Sequence, residues 1–271
     1  MSERSRTVVV TGGASGIGDA VVQAFRASGD EVFVVDRQPS TRDVRTVQGD
    51  LTDTASIHAA VGALPDGIDV LVNAAGVSGI QDVRTILAVN YTGAAVLTEL
   101  LAPRFSADAA VVSVASTAGY EWRDRVEAIE GLLGTTTVQE AVDCATPYLP
   151  KGRESYEAYN LSKAALIVWS MTKSRQFGPN IRTNTVSPGP IETPLLAEFY
   201  DSMGSAQLDP LKDMTGRHGT AQEVAAVITF LAGTAASWIS GTDTVVDGGA
   251  EGALLAAKLA SQNRPTTRAA Q

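Results

Sequence analysis

The chain contains a single cysteine, Cys144, so no disulfide can form within it, and a reducing compartment is expected. It has two histidines, His58 and His218, far apart in the sequence and beside no cysteine. That spacing offers no zinc site, and no metal is expected. Basic residues are in deficit. With 21 Lys and Arg against 30 Asp and Glu, the formal net charge is −9, which disfavours nucleic acid or an anionic membrane as the main partner. No uninterrupted apolar run reaches the roughly 18 residues of a membrane span. Residues 1–6 lead into a strand-like stretch without a signal-peptide core, so a cytoplasmic protein is expected. Internal repeats and low-complexity linkers are also lacking. The sequence does have enough apolar residues, 44% of 271 against 19% charged, for a sizeable core in one domain spanning residues 1–271.

Strand and helix patterns alternate from the start. Thr7-Val8-Val9-Val10-Thr11 is a β-branched run suited to a strand buried on both faces. Gly12-Gly13-Ala14-Ser15-Gly16-Ile17-Gly18 follows, and then a helical spacing of Ala20, Val21, Ala24 and Phe25. A glycine-rich turn between a strand and a helix allows close backbone approach and leaves free N–H groups for a pyrophosphate, though an ordinary tight turn has the same look. A second strand over 31–36 ends in Asp36, 18 residues beyond Gly18. A carboxylate there can accept hydrogen bonds from both adenosine ribose hydroxyls and would repel a 2′-phosphate. Arg37 follows directly, but the turn itself carries no basic residue, so NAD is expected over NADP.

Further strands are expected over 46–50, 68–73, 109–116, 181–187 and 244–249, with helices over 54–63, 83–101, 156–177 and 221–232. This alternation predicts an α/β fold with a parallel, doubly wound sheet of about seven strands and helices on both faces. Ligands of such sheets lie at the carboxyl ends of the strands. Gly12, Asp36, Asp50, Asn73 and Ser116 all fall there. Asp50 and Leu51 stand where an adenine edge would sit. Asn90 interrupts an otherwise apolar helix, either bonded to backbone or holding a water.

Tyr159 and Lys163 lie four residues apart, on one face of the 156–177 helix. A free phenol has a pKa of about 10, and lowering it by about 3 units takes roughly 4 kcal/mol, which a desolvated cation can largely supply. The pair can thus form an acid/base working near neutrality. By itself the spacing is a weak signal, because two solvated helix residues satisfy it equally well.

Together, Thr11-Gly12-x-x-x-Gly16-x-Gly18, Asn73-Ala74-Ala75-Gly76, Asn90, Ser116, Tyr159-x-x-x-Lys163, Pro188-Gly189 and Asp247-Gly248-Gly249 resemble the short-chain dehydrogenase/reductase family over residues 7–249. The resemblance implies a Rossmann-type sheet and hydride transfer between a nicotinamide and a carbonyl or alcohol carbon. It implies Tyr159 as acid/base, Lys163 lowering its pKa and binding the nicotinamide ribose, Ser116 on the carbonyl oxygen, and Asn90 holding a water of the proton relay. Gly12, Ser15, Gly16, Ile17, Gly18, Asp36, Asp50, Leu51, Asn73, Ala74, Gly76, Pro188, Ile191 and Thr193 match cofactor-contacting positions, with Tyr159 and Lys163. It also implies a homodimer or homotetramer.

One departure is large. Ser116 and Tyr159 stand 43 residues apart, far more than is usual in the family, and the surplus falls within residues 122–155. Such an insertion, with Pro190-Ile191-Glu192-Thr193-Pro194, is similar to the bacterial 3α-hydroxysteroid dehydrogenase/carbonyl reductase branch. It is expected to form two short helices, near 124–133 and 138–145. They can wall the substrate pocket with Trp122 and Tyr148, cover the Tyr159 helix, or do both. Residues 193–214 read as a substrate lid and 263–271 as a flexible tail. The expected activity is interconversion of a secondary alcohol and a ketone on a hydroxysteroid or an aromatic, alicyclic or amino alcohol. The alternatives are an NADP-preferring carbonyl reductase and a nucleotide-binding regulator without turnover.

Overall fold

Val8, Val9 and Val10 have no accessible surface, and the strand that carries them lies in the middle of the sheet. The computed structural model describes residues 5–262, so the expected tail over 263–271 lies outside the described residues. The first half contains β1 (Thr7–Thr11), α1 (Gly16–Ala27), β2 (Glu31–Asp36), β3 (Arg45–Gln48), α2 (Thr54–Ala63), β4 (Ile68–Asn73), α3 (Val83–Leu87), α4 (Gly93–Leu101) and β5 (Phe105–Val114). The second contains α5 (Val126–Leu133), α6 (Val138–Ala145), α7 (Glu154–Lys173), β6 (Arg182–Pro188), β7 (Ile191–Glu192), α8 (Pro194–Met203), α9 (Ser205–Thr215), β8 (Gly219–Thr220), α10 (Ala221–Ala232), β9 (Asp243–Val246) and α11 (Ala250–Gln262).

Seven strands pair in the order β3-β2-β1-β4-β5-β6-β9, all parallel. The order reverses between β1 and β4, and a crevice opens there at the carboxyl edge. Register aligns that edge: Thr11 lies opposite Asn73, and Asn73 opposite Ser113. Alternation sends successive side chains to opposite faces. Val8 and Val10 join α1 and α10 in one core layer, while Val9 joins α2 and α4 in the other. Each fully buried Val or Phe of this kind contributes roughly 1.5–3 kcal/mol.

The helix expected over 83–101 is continuous but not uniform. Between α3 and α4 the residues Ala88–Thr92 form a π-helical turn, with Asn90 inside it. The run Val83–Arg104 is long enough to cross a membrane and contains an 18-residue stretch of mean hydropathy 1.4, of which 72% is buried within the protein. The apolar faces of this helix are turned into the core, with Arg84 and Glu99 left at the surface.

The residues between Ser116 and α7 form a 3₁₀ segment, Thr117–Arg125, and then α5 and α6. Thr137 and Glu140 close a capping box that starts α6. Ala128, Ile129, Leu132, Ala141 and Ala145 pack on Leu161, Ala164, Ala165 and Ile167 of α7. Arg125 pairs with Glu157 of α7 at 3.0 Å, and Tyr91 donates to the Leu132 carbonyl at 3.0 Å. The outer face of the Tyr159 helix is therefore covered by the chain's own insertion. Two features have no counterpart in the sequence reading: the short parallel pair β7–β8, and a β5 that begins at Phe105, ahead of the expected 109.

Candidate active site

The site is a cleft of about 380 Å³ along the carboxyl edge of the sheet. Its nucleotide end begins at the turn after β1. Gly12 has φ +69°, and a Cβ there would lie 2.6 Å from the Cα of Ala75. A Cβ on Gly18 would strike the Gly12 carbonyl oxygen. Both positions therefore require glycine, and the backbone of the turn is bare toward the cleft. Ser15 is the N-cap of α1, yet its side chain makes no capping bond. Gly12, Ser15, Gly16 and Ile17 all line the cleft.

Asp36 closes this end. Its carboxylate accepts from the Ala14 N–H at 3.1 Å and the Gln38 N–H at 3.0 Å. Asp50 and Leu51 continue the wall. Burial raises the Asp50 pKa, but the Thr52 N–H and hydroxyl, at 2.8 and 2.7 Å, and the nearby Arg37 outweigh it and hold the carboxyl below its usual range. Arg37 and Gln38 also line the cleft. Arg42 is held by Asp19 at 2.7 Å.

The other end holds Ser116, Tyr159 and Lys163. Ser116 follows β5 and starts the 3₁₀ segment, its hydroxyl accepting from the Ala118 N–H at 3.2 Å. Tyr159 is 7% exposed, stands edge-on to Phe199 with ring centroids 5.5 Å apart, and is hydrogen-bonded with Ser116. Lys163, one turn on, donates to the Val114 carbonyl at 3.0 Å, with Nζ 5.9 Å from the Tyr159 ring centroid. Burial pushes the phenol up to about 12, against the lowering effect of Ser116, and pushes the Lys163 ammonium down to about 8. This differs from the expectation that Lys163 lowers the phenol. Among the protein's own groups burial is the larger influence, and the lysine's charge is directed at a strand carbonyl. Ala74, Gly76, Pro188, Ile191 and Thr193 complete this wall. Gly76 lies between two of the named groups: a Cβ on it would be 3.4 Å from Asn90 Oδ1 and 3.6 Å from Lys163 Nζ.

Three expected site residues do not line the cleft. Gly18 is packed beneath the turn. The Asn73 side chain points into the core and donates to Thr98 and Ser113 at 3.0 and 3.1 Å, so any cofactor contact from this residue falls to its backbone. The Asn90 side chain is committed to one peptide: it accepts from the Val77 N–H at 2.9 Å and donates to the Val77 carbonyl at 3.0 Å. Of the two readings for Asn90, the bond to backbone is the one observed for its side chain. π-turns often mark functional positions in helices, and this one holds Asn90 against the loop after β4. Neither Trp122 nor Tyr148 of the insertion lines the cleft.

Sequence reasoning missed Val77 on the cleft wall, and it placed Leu195 and Phe199 in the expected lid over 193–214 without singling out Glu198 between them. Leu195, Glu198 and Phe199 have i, i+3, i+4 spacing, one face of α8. An acid within an apolar face was the available signal.

The residues present fit a dinucleotide. The glycine cradle leaves no room for side chains where a pyrophosphate would pass, and a fixed carboxylate stands at the end of β2. A family model described as short chain dehydrogenase matches residues 6–127, and one described as enoyl-(acyl carrier protein) reductase matches residues 143–251. Coniferyl-alcohol dehydrogenase of Pseudomonas sp. strain HR199 is 35% identical over 92% of this chain and 98% of its own. The 3-alpha-hydroxysteroid dehydrogenase/carbonyl reductase of Comamonas testosteroni is 30% identical, over 89% and 95%. The crystal structure of 3-alpha-hydroxysteroid dehydrogenase from Pseudomonas sp. B-0831 complexed with NADH superposes with a TM-score of 0.78 at 31% identity, covering 93% of this chain and 99% of that one.

Proposed function

From the premise that the chain belongs to the short-chain dehydrogenase/reductase family, we propose that it interconverts an alcohol and a carbonyl on a small to medium apolar substrate, with NAD as its cofactor. It is an oxidoreductase acting on CH–OH groups with a nicotinamide cofactor. The observation that carries the finer reading is the convergence of Ser116, Tyr159 and Lys163 at one end of a cleft that has the glycine turn and Asp36 at the other.

In the oxidising direction the substrate hydroxyl sits between Ser116 Oγ and the Tyr159 oxygen. Tyr159 takes the hydroxyl proton, and Ser116 holds the oxygen as it becomes a carbonyl. Lys163 would secure the ribose, and its ammonium together with the positively charged nicotinamide, when bound, would favour the phenolate that burial alone opposes. Asn90, held against Val77 by the π-turn, stands across Gly76 from Lys163 and continues the route for the proton through a water. The bound nicotinamide supplies the hydride acceptor.

Support for NAD comes from Asp36. Its carboxylate occupies the Ala14 and Gln38 N–H groups that a 2′-phosphate would otherwise use, and its charge opposes that phosphate. Arg42 is already paired with Asp19. Arg37 on the wall is the one observation favouring NADP. The substrate class is supported by the apolar wall of Val77, Val89, Leu195 and Phe199 and by relatives named for coniferyl alcohol and hydroxysteroids. With the outer face of α7 covered, the surface we assign to a dimer is α10 with the β9 edge.

The test is absorbance at the reduced-nicotinamide band, with NAD or NADP and a panel of aryl, alicyclic, steroid and amino alcohols. Turnover with NAD on an apolar class is expected. Tyr159→Phe should lower it by several orders of magnitude and still bind NADH. Turnover only with NADP would overturn the cofactor assignment. Tight NADH binding with no turnover across the panel would favour the regulator reading.

A further inference from the structure

Among the described residues, five charged side chains line the cleft. Asp36, Arg37 and Asp50 belong to the ends of β2 and β3, on the nucleotide side, and Lys163 is committed to the Val114 carbonyl. The fifth is Glu198, on the α8 face that also presents Leu195 and Phe199. Phe199 meets the Tyr159 ring edge, so the residue just before it in α8 places a carboxylate at the reaction end. Glu198 Oε2 accepts from Ser78 Oγ at 2.6 Å, and Ser78 is fully buried. Ser78 is fixed in turn. Asn90 grips both sides of the adjoining Val77 peptide, and Gly79 lies against α7, where a Cβ would be 3.7 Å from Tyr159 Cβ. The carboxylate is thus tethered, through one hydroxyl, to a loop that runs past the catalytic phenol.

Tethering through one oxygen leaves Oε1 without a hydrogen-bond partner among the described residues, beside the apolar side chains of Val77, Leu195 and Phe199. A fixed acceptor in a mostly apolar site selects for orientation: it accepts from a donor on the substrate and repels an anion. We infer that Glu198 is a specificity-determining residue, and that the substrate is an apolar alcohol carrying a second hydrogen-bond donor, a phenolic or aliphatic hydroxyl or an ammonium, remote from the reacting carbon. This rests on the alcohol-oxidoreductase reading above. It also sets this chain against substrates delivered as carboxylates or on acidic carriers.

The experiment compares kcat/KM, with NAD and the full-length chain, for matched aryl-allylic and alicyclic alcohols that bear a remote hydroxyl, hydrogen or carboxylate. Wild type should favour the hydroxyl member over its unsubstituted partner by about tenfold or more in at least one series, and reject the carboxylate. Glu198→Gln should shrink the first ratio several-fold and raise the relative rate on the carboxylate about tenfold. Ser78→Ala is the control for a merely structural role. It loosens the tether, so KM should rise for both members of a pair with their ratio nearly kept. Equal ratios in wild type and Glu198→Gln, with turnover retained, would overturn this inference alone. Turnover of no alcohol with either nucleotide would remove the functional reading and this inference with it.

Discussion

Lys163 is 5% exposed, and burial holds its pKa at about 8 against an ordinary 10.5. Below pH 8 the folded protein must keep a charge in a site that disfavours it. Between about 8 and 10.5 the folded lysine is neutral while the unfolded one still binds a proton, so its contribution to stability improves as pH rises. The full difference is on the order of 3 kcal/mol. Lys163→Met should therefore stabilise the protein by about 1–3 kcal/mol at pH 7, less at pH 9.5, while turnover falls by orders of magnitude. Urea unfolding at the two pH values checks this, and a variant no more stable at pH 7 would refute it. The raised Tyr159 pKa costs stability between about 10 and 12 as pH rises, but in both proteins alike. Tyr159 and Lys163 were legible in the sequence because four residues of helix bring two side chains to one face. Asn73 and Glu198 were not. Which way a strand-end amide turns, and which face of α8 meets the cleft, depend on neighbours distant in the chain.

The elements themselves were legible wherever one physical pattern governs them: buried β-branched runs for the strands, apolar periodicity for the helices. What escaped were features made by contact. The π-turn at Ala88–Thr92 goes with the Asn90–Val77 lock, and hydropathy carries no trace of it. Arg182 is similar. The sequence places it in a strand; the structure uses it to end a helix. Its guanidinium, 8% exposed overall, donates to the Leu231 carbonyl at 2.6 Å and the Gly233 carbonyl at 3.1 Å, at the C-terminus of α10. A cation there meets carbonyls left unpaired by the helix and the negative end of its dipole. Arg182→Met should cost about 2–4 kcal/mol, because the acceptors stay buried after the donor is gone. Thermal unfolding would show it as a lowered Tm, with KM for NAD nearly unchanged in the folded fraction. An unchanged Tm would mean that water replaces the guanidinium.

At the scale of the molecule, two surfaces contrast. The α7 face is covered by α5 and α6, whereas Trp238, 97% exposed, and Phe230, 49% exposed, stand uncovered beside the β9 edge. Large exposed aromatics next to an unpaired strand edge suit a two-fold contact. Light scattering should give a dimer for wild type. Trp238→Glu should shift it toward monomer by at least tenfold in dissociation constant, since a two-fold axis sets each new charge against its copy. A mass unaffected by the substitution would assign the contact elsewhere.

The Val83–Arg104 helix has a consequence for how the chain must be made. Until α2, α6, α7 and the sheet have closed over it, this segment presents to the cell much the same greasy surface as a membrane anchor, broken by Asn90, Glu99, three threonines and the arginines near its ends. Its safety depends on the speed of docking, not on its composition. Lesions in the surrounding core should therefore appear first as insoluble chain at the ribosome or chaperone, with the molecules that do mature retaining ordinary turnover.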